Sequence, residues 1–160
     1  TTLNLQNTDL KTLIQGVVQN YTPQADNEHK KLSMNISPES ESVLSSYPCD
    51  AAKMKQVISN LIKNALEATS PDNFIEVSVS VVSEDDHPLL SVQISNNGQQ
   101  IPEDEIGTIF QPFVTYKKGG TGVGLALAKR VIENHMGRIS VSSTESLTSF
   151  TILLPIPAKS

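Results

Sequence analysis

The sequence has 160 residues, the length of a single domain that can bury one substantial core. Apolar residues make up 38% of it and charged residues 18%, which is typical of a globular protein and argues against an intrinsically disordered chain. The net charge of −5 argues against a nucleic-acid partner, because binding a phosphate backbone requires clustered Lys and Arg.

The single cysteine and the apolar runs bear on the compartment. Cys49 cannot form an internal disulfide, and its strand-like surroundings predict a buried, unreactive thiol. No apolar run approaches the ~20 residues that span a bilayer, and no signal peptide opens the sequence. We therefore expect a cytoplasmic domain, with any membrane anchor of the parent protein outside this sequence.

The first half of the sequence predicts a helix, a strand pair and a second helix. The first helix begins with Thr8 or Asp9 as N-cap. Residues 31–36 and 42–47 are expected to form two strands joined by a Ser-Pro-Glu-Ser turn. The second helix follows Asp50. The apolar positions at helical spacing are Leu10, Leu13, Ile14, Val17, Val18 and Tyr21 in the first helix, and Met54, Val57, Ile58, Leu61, Ile62, Ala65 and Leu66 in the second.

The second half predicts strands, a long loop and a third helix. Alternating apolar residues predict strands over 75–81, 90–94, 138–142 and 150–154, the first two joined by residues 83–88. Residues 98–121 lack periodicity and gather Gly and Pro, which is typical of a functional or mobile loop. The third helix turns Leu125, Ala128, Ile132 and Met136 inward and is expected to end at Gly137 as its C′ residue.

Helices interspersed with antiparallel strands predict an α/β fold. We expect a two-layer α/β sandwich, with three main helices on one face of a mixed, mostly antiparallel sheet. Residues 1–160 are expected to form one domain, because the sequence shows no internal repeat or low-complexity tract.

Asn60 and Asn64 lie four residues apart in the second helix, so their side chains project from the same side of it. Their carbonyl oxygens are ligands that Mg²⁺ accepts together with water and substrate phosphates. A solvated helix edge is the commoner explanation of an isolated Asn pair, so this pair alone does not identify a metal site.

A glycine-rich run, residues 119–125, leads directly into the third helix. Backbone N–H groups in such a run, together with a helix N-terminus, can bind phosphate, and Lys117 and Lys118 add positive charge. A flexible hinge explains the run equally well. Asn96 ends a strand where an amide could recognise a base, although a plain turn is the simpler explanation.

Taken in this order, the motifs resemble the catalytic domains of histidine kinases, within the ATPase superfamily that includes gyrase, the Hsp90 chaperones and MutL. The resemblance covers nearly the whole chain and implies a Bergerat-type ATP-binding fold. The N box corresponds to DAAKMKQVISNLIKNALEA (50–68), the first glycine box to NNGQQIP (96–102), the F box to FQPF (110–113), and the second glycine box with its helix and strand to GGTGVGLALAKRVIENHMGRISVSS (119–143).

The resemblance implies roles for particular residues. Asn64, together with Asn60, would hold Mg²⁺ and the phosphates during catalysis. Asn96 stands where the family has an aspartate that accepts the adenine amino group, and Thr148 would support that contact. Residues 103–121 would form a lid over ATP. The other residues expected to contact the nucleotide are Gly98, Ile101, Phe113, Lys117, Gly120, Thr121, Gly122, Val123, Gly124 and Leu125.

The resemblance also implies a kinase and a poor hydrolase. Related ATPases that hydrolyse ATP place a general-base glutamate one turn before the metal-binding asparagine, at the position of Asn60. An amide cannot take a proton from water. His29, His87 and His135 lack the family's phosphoacceptor motif, and all three are expected at the surface.

The acceptor histidine is therefore expected on a separate helical dimerisation domain of the same kinase, with a response regulator as the downstream partner. Residues 1–8 would be a remnant of the linker from that domain. The chain by itself is expected to be monomeric and the full kinase homodimeric.

Three positions depart from the family pattern. Asn96 and Gln100 replace the aspartate and the second glycine of the first glycine box, and Leu147 replaces a glycine before Thr-x-Phe. The alternative function is therefore a nucleotide-sensing or docking pseudokinase without phosphotransfer. Because the Asn96 amide can donate or accept according to its orientation, we expect reduced discrimination against GTP.

Overall fold

The computed structural model describes residues 2–112 and 124–158. The elements in chain order are β1 (Gln6–Thr8), α1 (Leu10–Asn27), β2 (Lys31–Ile36), a 3₁₀ turn (Pro38–Ser40), α2 (Glu41–Leu44), β3 (Tyr47–Cys49), α3 (Ala51–Ala68), β4 (Phe74–Glu84), β5 (His87–Asn96), α4 (Glu103–Ile106), α5 (Gly124–Asn134), β6 (Arg138–Ser143) and β7 (Thr148–Pro155). The long helices α1, α3 and α5 are the three that the apolar spacing predicts.

The main sheet has the strand order β2-β4-β5-β7-β6, while β1 pairs with β3 in a small separate sheet. β2 runs parallel to β4, and the other neighbours in the main sheet are antiparallel. α1, α3 and α5 cover the apolar face of the sheet and share one core with it. Each fully buried Leu or Ile in that core contributes roughly 1.5–3 kcal/mol. The expected two-layer α/β sandwich is confirmed.

The expected strand pair over residues 31–36 and 42–47 is wrong in its second half. Pro38–Ser40 and Glu41–Leu44 are helical, and the strand that follows, β3, pairs with β1 instead of β2. Pro38 occupies the first turn, where its missing N–H costs nothing, and the acidic Glu39 and Glu41 favour a helix N-terminus. The segment therefore carries helix-start signals that outweigh its apolar content.

The hairpin between β4 and β5 is tighter than expected. The strands pair as far as Glu84 and His87, so only Asp85 and Asp86 form the turn. Both have positive φ, 51° and 62°, as a two-residue hairpin turn requires, and Asp tolerates this conformation better than most residues.

The C-terminus of α5 corrects two expectations. Met136 has φ 63° and is 84% exposed, so it is the left-handed C′ residue and does not face the core. The Met136 N–H donates to the Glu133 carbonyl and the Gly137 N–H to the Ile132 carbonyl, each at 3.0 Å, which is the Schellman pattern. Gly137 is thus C″, and it is needed for space, since a Cβ there would lie 2.4 Å from the Leu153 carbonyl oxygen.

Replacing Met136 with glycine is expected to raise the free energy of unfolding by about 1 kcal/mol. Glycine adopts the left-handed conformation without a Cβ clash, and the exposed Met136 side chain gives up little burial when it is removed. Urea unfolding of the two proteins checks this. A less stable Met136→Gly variant would contradict the C′ assignment.

Candidate nucleotide-binding site

The start of α3 is held in place from three directions. Asp50 caps the helix by accepting the Lys53 N–H at 3.2 Å, while its second carboxylate oxygen accepts the Asn4 N–H at 3.0 Å. The hydrogen bonds from Asn4 and then Lys53 lower the pKa of the Asp50 carboxyl below its usual value. The Asp50 N–H in turn donates to the His135 Nε2 at 3.0 Å.

His135 is buried at 7% exposure, so its expected surface position is wrong. It follows α5 on the side that packs against α3, with its Nδ1 lying 2.8 Å from the Val131 carbonyl oxygen. A neutral ring protonated at Nδ1 satisfies both of its contacts. His29 and His87 are exposed, as expected.

The apolar face of α3 is buried in the core, and Asn60 and Asn64 lie on its half-buried flank. The Asn64 Oδ1 is buried and has no hydrogen-bond partner. Among the residues that the structure describes, no other buried side-chain oxygen or nitrogen lacks one. Burying an unpaired amide oxygen costs roughly 1–3 kcal/mol. Packing alone does not account for asparagine at this position.

The donor set around Asn64 suits a metal that shares its ligands with a substrate. Within residues 2–112 and 124–158, no group of three or more His, Cys, Asp or Glu side chains could hold a metal ion by itself. A divalent ion here would take an amide oxygen and further oxygens from substrate and water, which is the coordination that Mg²⁺ favours. The unpaired Asn64 Oδ1 therefore fits Mg²⁺ bound together with phosphates.

The N box helix and the end of the second glycine box meet at Asn60. A Cβ at Gly124, the first residue of α5, would lie 3.7 Å from the Asn60 Nδ2. Leu125 is half-buried and packs against the core. The other residues predicted to contact the phosphates, and the predicted lid beyond residue 112, lie outside the described residues, so their roles stay predictions: Phe113, Lys117, Gly120, Thr121, Gly122 and Val123.

The loop that follows β5 is docked onto the C-terminus of α3. The Gln99 N–H donates to the Ala68 carbonyl at 2.8 Å, and the Gly98 N–H donates to the Asn96 Oδ1 at 2.9 Å. A Cβ at Gly98 would lie 2.2 Å from the Ala68 carbonyl oxygen, so only glycine fits there. This close approach explains the glycine of the first glycine box in this chain.

Asn96, Thr148 and Ser143 lie side by side at the ends of β5, β7 and β6, where Asn96 pairs with Thr148 and Thr148 with Ser143. The Ser143 Oγ accepts the Ile101 N–H at 2.9 Å and lies 2.6 Å from the Thr148 Oγ1. Asn96 and Thr148 are each 3% exposed. The sequence analysis missed Ser143, which only the strand register brings beside Thr148.

Among the described residues, α3 lies beside two groups of the predicted residues: Asn60 lies against Gly124, and Ala68 at the end of the helix lies against Gly98, next to the strand ends at Asn96 and Thr148. Two surface grooves lie elsewhere, one between α1 and β2 and one between the N-terminal segment and β7, and neither contains a candidate residue.

Cys49 is buried, as expected, and its burial raises the pKa of its thiol, which disfavours the reactive thiolate. It lies in β3 and takes no part in the region described above.

Comparison with known proteins agrees with this geometry. Residues 49–158 match the family described as histidine kinase-, DNA gyrase B-, and HSP90-like ATPase. The chain therefore belongs to this ATPase family. Within it, the fold is that of a histidine kinase catalytic domain: the chain is similar to the nucleotide-free catalytic domain of histidine kinase ThkA, with a TM-score of 0.83 and 27% identity over 96% of this chain and 97% of that one.

Two curated relatives extend the likeness over nearly the whole chain. The alginate biosynthesis sensor protein KinB of Pseudomonas aeruginosa is 33% identical over 157 residues, which are 96% of this chain and 25% of KinB. The sensor histidine kinase ZraS of Escherichia coli (strain K12) is 32% identical over 157 residues, which are 98% of this chain and 32% of ZraS. The chain thus spans a third or less of the length of these relatives.

Proposed function

We propose that this domain is the ATP- and Mg²⁺-dependent catalytic module of a sensor histidine kinase, and that it phosphorylates a histidine on a separate helical dimerisation domain. The observation that carries this is the buried, unpaired Asn64 Oδ1, on a helix whose Asn60 lies against the glycine that opens α5. That pairing supports a site for a metal ion and phosphates in a member of this ATPase family.

In this proposal Asn64, assisted by Asn60, holds Mg²⁺. The ion, when bound, would offset the negative charge of the phosphates. The glycines at 120, 122 and 124 would offer backbone N–H groups to the same phosphates. Asn96 and Thr148 would contact the base. Gly98 and Ile101 would keep the loop after β5 against α3 and β6, which supports the base contacts.

The identity of residue 60 favours transfer over hydrolysis. Attack by water on the γ-phosphorus requires a base to take its proton, and the Asn60 amide cannot serve as one. An imidazole nitrogen attacks with its own lone pair, forming an N–P bond as the bond from the γ-phosphorus to the leaving ADP oxygen breaks. The protein then needs only to bind, orient and exclude water.

The partners follow from this chemistry. We propose that the acceptor domain and this domain belong to one kinase, that the full kinase is a homodimer, and that a response regulator receives the phosphoryl group. None of the helices among the described residues is long and apolar enough to cross a membrane. We also propose that the domain acts in the cytoplasm, where ATP is available.

The deciding experiment mixes this domain with the helical domain of its parent kinase and ATP labelled at the γ-phosphate. We expect label on the helical domain, and none when the acceptor histidine of that domain is replaced by glutamine. Unlabelled helical domain, with ATP demonstrably bound, would favour the second candidate function. That candidate is a nucleotide-sensing or docking pseudokinase, which Asn96 and Gln100 in the first glycine box favour.

By itself, the chain is expected not to become labelled. The His135 ring is buried and both of its nitrogens make contacts. His29 follows the C-cap of α1 and His87 begins β5, and neither lies in a phosphoacceptor motif. Intact-mass spectrometry after incubation with ATP and Mg²⁺ checks this. Stoichiometric phosphorylation of any of the three histidines would contradict it.

A further inference from the structure

The structure fixes which way the Asn96 amide points. Its Oδ1 accepts the Gly98 N–H at 2.9 Å, so the carbonyl half of the amide faces its own loop. Turning the amide over would set the Nδ2 against the Gly98 N–H, two donors facing each other, and would leave that N–H unsatisfied. Gly98 is packed tightly against the end of α3, since a Cβ added to it would lie 2.2 Å from the Ala68 carbonyl oxygen.

Thr148, the strand neighbour of Asn96, does not reverse this orientation. Its hydroxyl group lies 2.6 Å from the Ser143 Oγ, and Ser143 also accepts the Ile101 N–H. The Asn96 Nδ2 makes no hydrogen bond within the described part of the chain, whereas its Oδ1 is engaged. The group that Asn96 offers to a ligand is therefore a donor.

A donor at this point fits a different base edge from the one that an aspartate selects. A carboxylate can satisfy the Gly98 N–H with one oxygen and still accept a base amino group with the other. The asparagine has its NH₂ where that second oxygen would be. An NH₂ facing the 6-amino group of adenine pairs two donors, whereas the 6-carbonyl oxygen of guanine or hypoxanthine accepts from it.

We infer that the base site of this domain takes 6-oxopurine nucleoside triphosphates at least as well as ATP, with Asn96 as the residue that determines this specificity. The inference rests on the proposed function, which gives Asn96 its contact with the base. Ser143 and Gly98 act as positioning residues in it, because the Ser143 Oγ lies 2.6 Å from the Thr148 Oγ1 and the Gly98 N–H donates to the Asn96 Oδ1.

The test measures competition of ATP, ITP and GTP, each with Mg²⁺, against one fluorescent triphosphate analogue. ITP is the informative ligand, because it carries the 6-carbonyl group without the 2-amino group of guanine. For the parent chain we expect ITP and GTP to compete at least as well as ATP. For Asn96→Asp we expect the preference to move toward ATP by about tenfold, the usual effect of one unsatisfied partner.

Asn97→Asp is the matched control. It adds the same charge one residue away, at a side chain whose Oδ1 accepts the Phe74 N–H at 2.7 Å. It should leave the ATP to ITP ratio unchanged, and thermal unfolding establishes that both variants are folded. A parent chain that excludes ITP as strongly as Asn96→Asp does would overturn the inference, as would an equal shift in both variants.

The outcome also separates the two proposals. Binding of ATP with ITP excluded, or equal ratios in parent and Asn96→Asp, removes the inference and leaves the kinase proposal in place. Preferential binding of ITP without phosphotransfer to the helical domain removes the kinase proposal and leaves the base preference. If no triphosphate binds to any of the three proteins, both are wrong.

Discussion

Replacing Asn64 with alanine is expected to remove Mg²⁺-dependent nucleotide binding while leaving the protein as stable as before, or more so. The Asn64 Oδ1 is buried without a partner, so its removal deletes a desolvation cost of roughly 1–3 kcal/mol. Alanine is also the better helix former by up to ~0.7 kcal/mol. The lost side-chain packing offsets part of both terms, and we expect a net gain of about 1 kcal/mol.

The functional loss should be large. Residues that only orient metal ligands change metal affinity by about 10–100-fold, so the loss of a direct ligand should weaken Mg²⁺-ATP binding by at least about 100-fold. Calorimetric titration with ATP, first in Mg²⁺ and then in EDTA, isolates the metal-dependent part. Lys63→Ala, an exposed neighbour on the same helix, is the matched control and should bind as the parent does.

Two results would count against this assignment. If Asn64→Ala keeps its Mg²⁺-dependent binding, the metal lies elsewhere. If it unfolds at clearly lower urea concentration than the parent, Asn64 has a structural role that its unpaired oxygen does not reveal. Opposite changes in stability and binding are what a ligand-directed side chain should show, since such sites commonly lower stability in favour of function.

The parts of the fold that the sequence predicted are those with long, local periodicity. α1, α3 and α5 each present an apolar stripe over several turns, and the hairpin of β4 and β5 alternates for most of its length, so local spacing sufficed. Residues 42–47 are too short to distinguish two periods, and the helix-start signals of Pro38 and Glu41 decided the outcome.

The errors at the end of α5 have a different origin. His-Met-Gly offers two candidates for the left-handed position, and sequence preference favours glycine. Gly137 lies close to the Leu153 carbonyl of β7, a strand more than ten residues away, so only glycine fits at the C″ position. Met136 therefore takes the left-handed C′ conformation. The burial of His135 against Asp50 is likewise non-local, and no local pattern announces it.

The sequence predicted the residues of the candidate site but not the contacts between them. Resemblance to the family identified four of these residues, because separate motifs in a fixed order are informative together: Asn60, Asn64, Asn96 and Thr148. Ser143, the orientation of the Asn96 amide and the unpaired Asn64 oxygen depend on strand register and burial, which arise only when distant segments meet. The inferred base specificity therefore depends on contacts that only the folded structure shows, whereas the family is evident from the order of the sequence motifs.

Replacing Gly98 with alanine is expected to lower the free energy of unfolding by about 2–4 kcal/mol. The added Cβ would lie 2.2 Å from the Ala68 carbonyl oxygen, 2.8 Å from its carbon and 2.9 Å from the Thr69 Cα, all backbone atoms at the C-terminal end of α3 that cannot rotate away. The loop must withdraw. Overpacking of this kind costs about 1–3 kcal/mol, and the loss of one of the two hydrogen bonds, to Asn96 or from Gln99, adds about 0.5–1.5 kcal/mol.

Two other glycines provide the comparison for this variant. Gly16 and Gly107 have nothing within 4 Å of an added Cβ. Gly16→Ala, inside α1, should raise the free energy of unfolding by about 0.5–1 kcal/mol, because alanine restricts the unfolded chain and favours the helix. Gly107→Ala should change it little. With a urea dependence of about 2 kcal/mol per molar, Gly98→Ala should move the unfolding midpoint down by ~1–2 M.

The same substitution should also disturb the base site, since a withdrawn loop releases the Asn96 amide from the Gly98 N–H. Under conditions where Gly98→Ala is still folded, we expect weaker binding of every purine triphosphate and a loss of any preference between ATP and ITP. Gly16→Ala, in α1 and away from the candidate site, should preserve both the affinity and the preference. A Gly98→Ala variant with parental stability and parental base preference would show that the loop does not depend on its contact with α3, and that the amide is oriented by some other group.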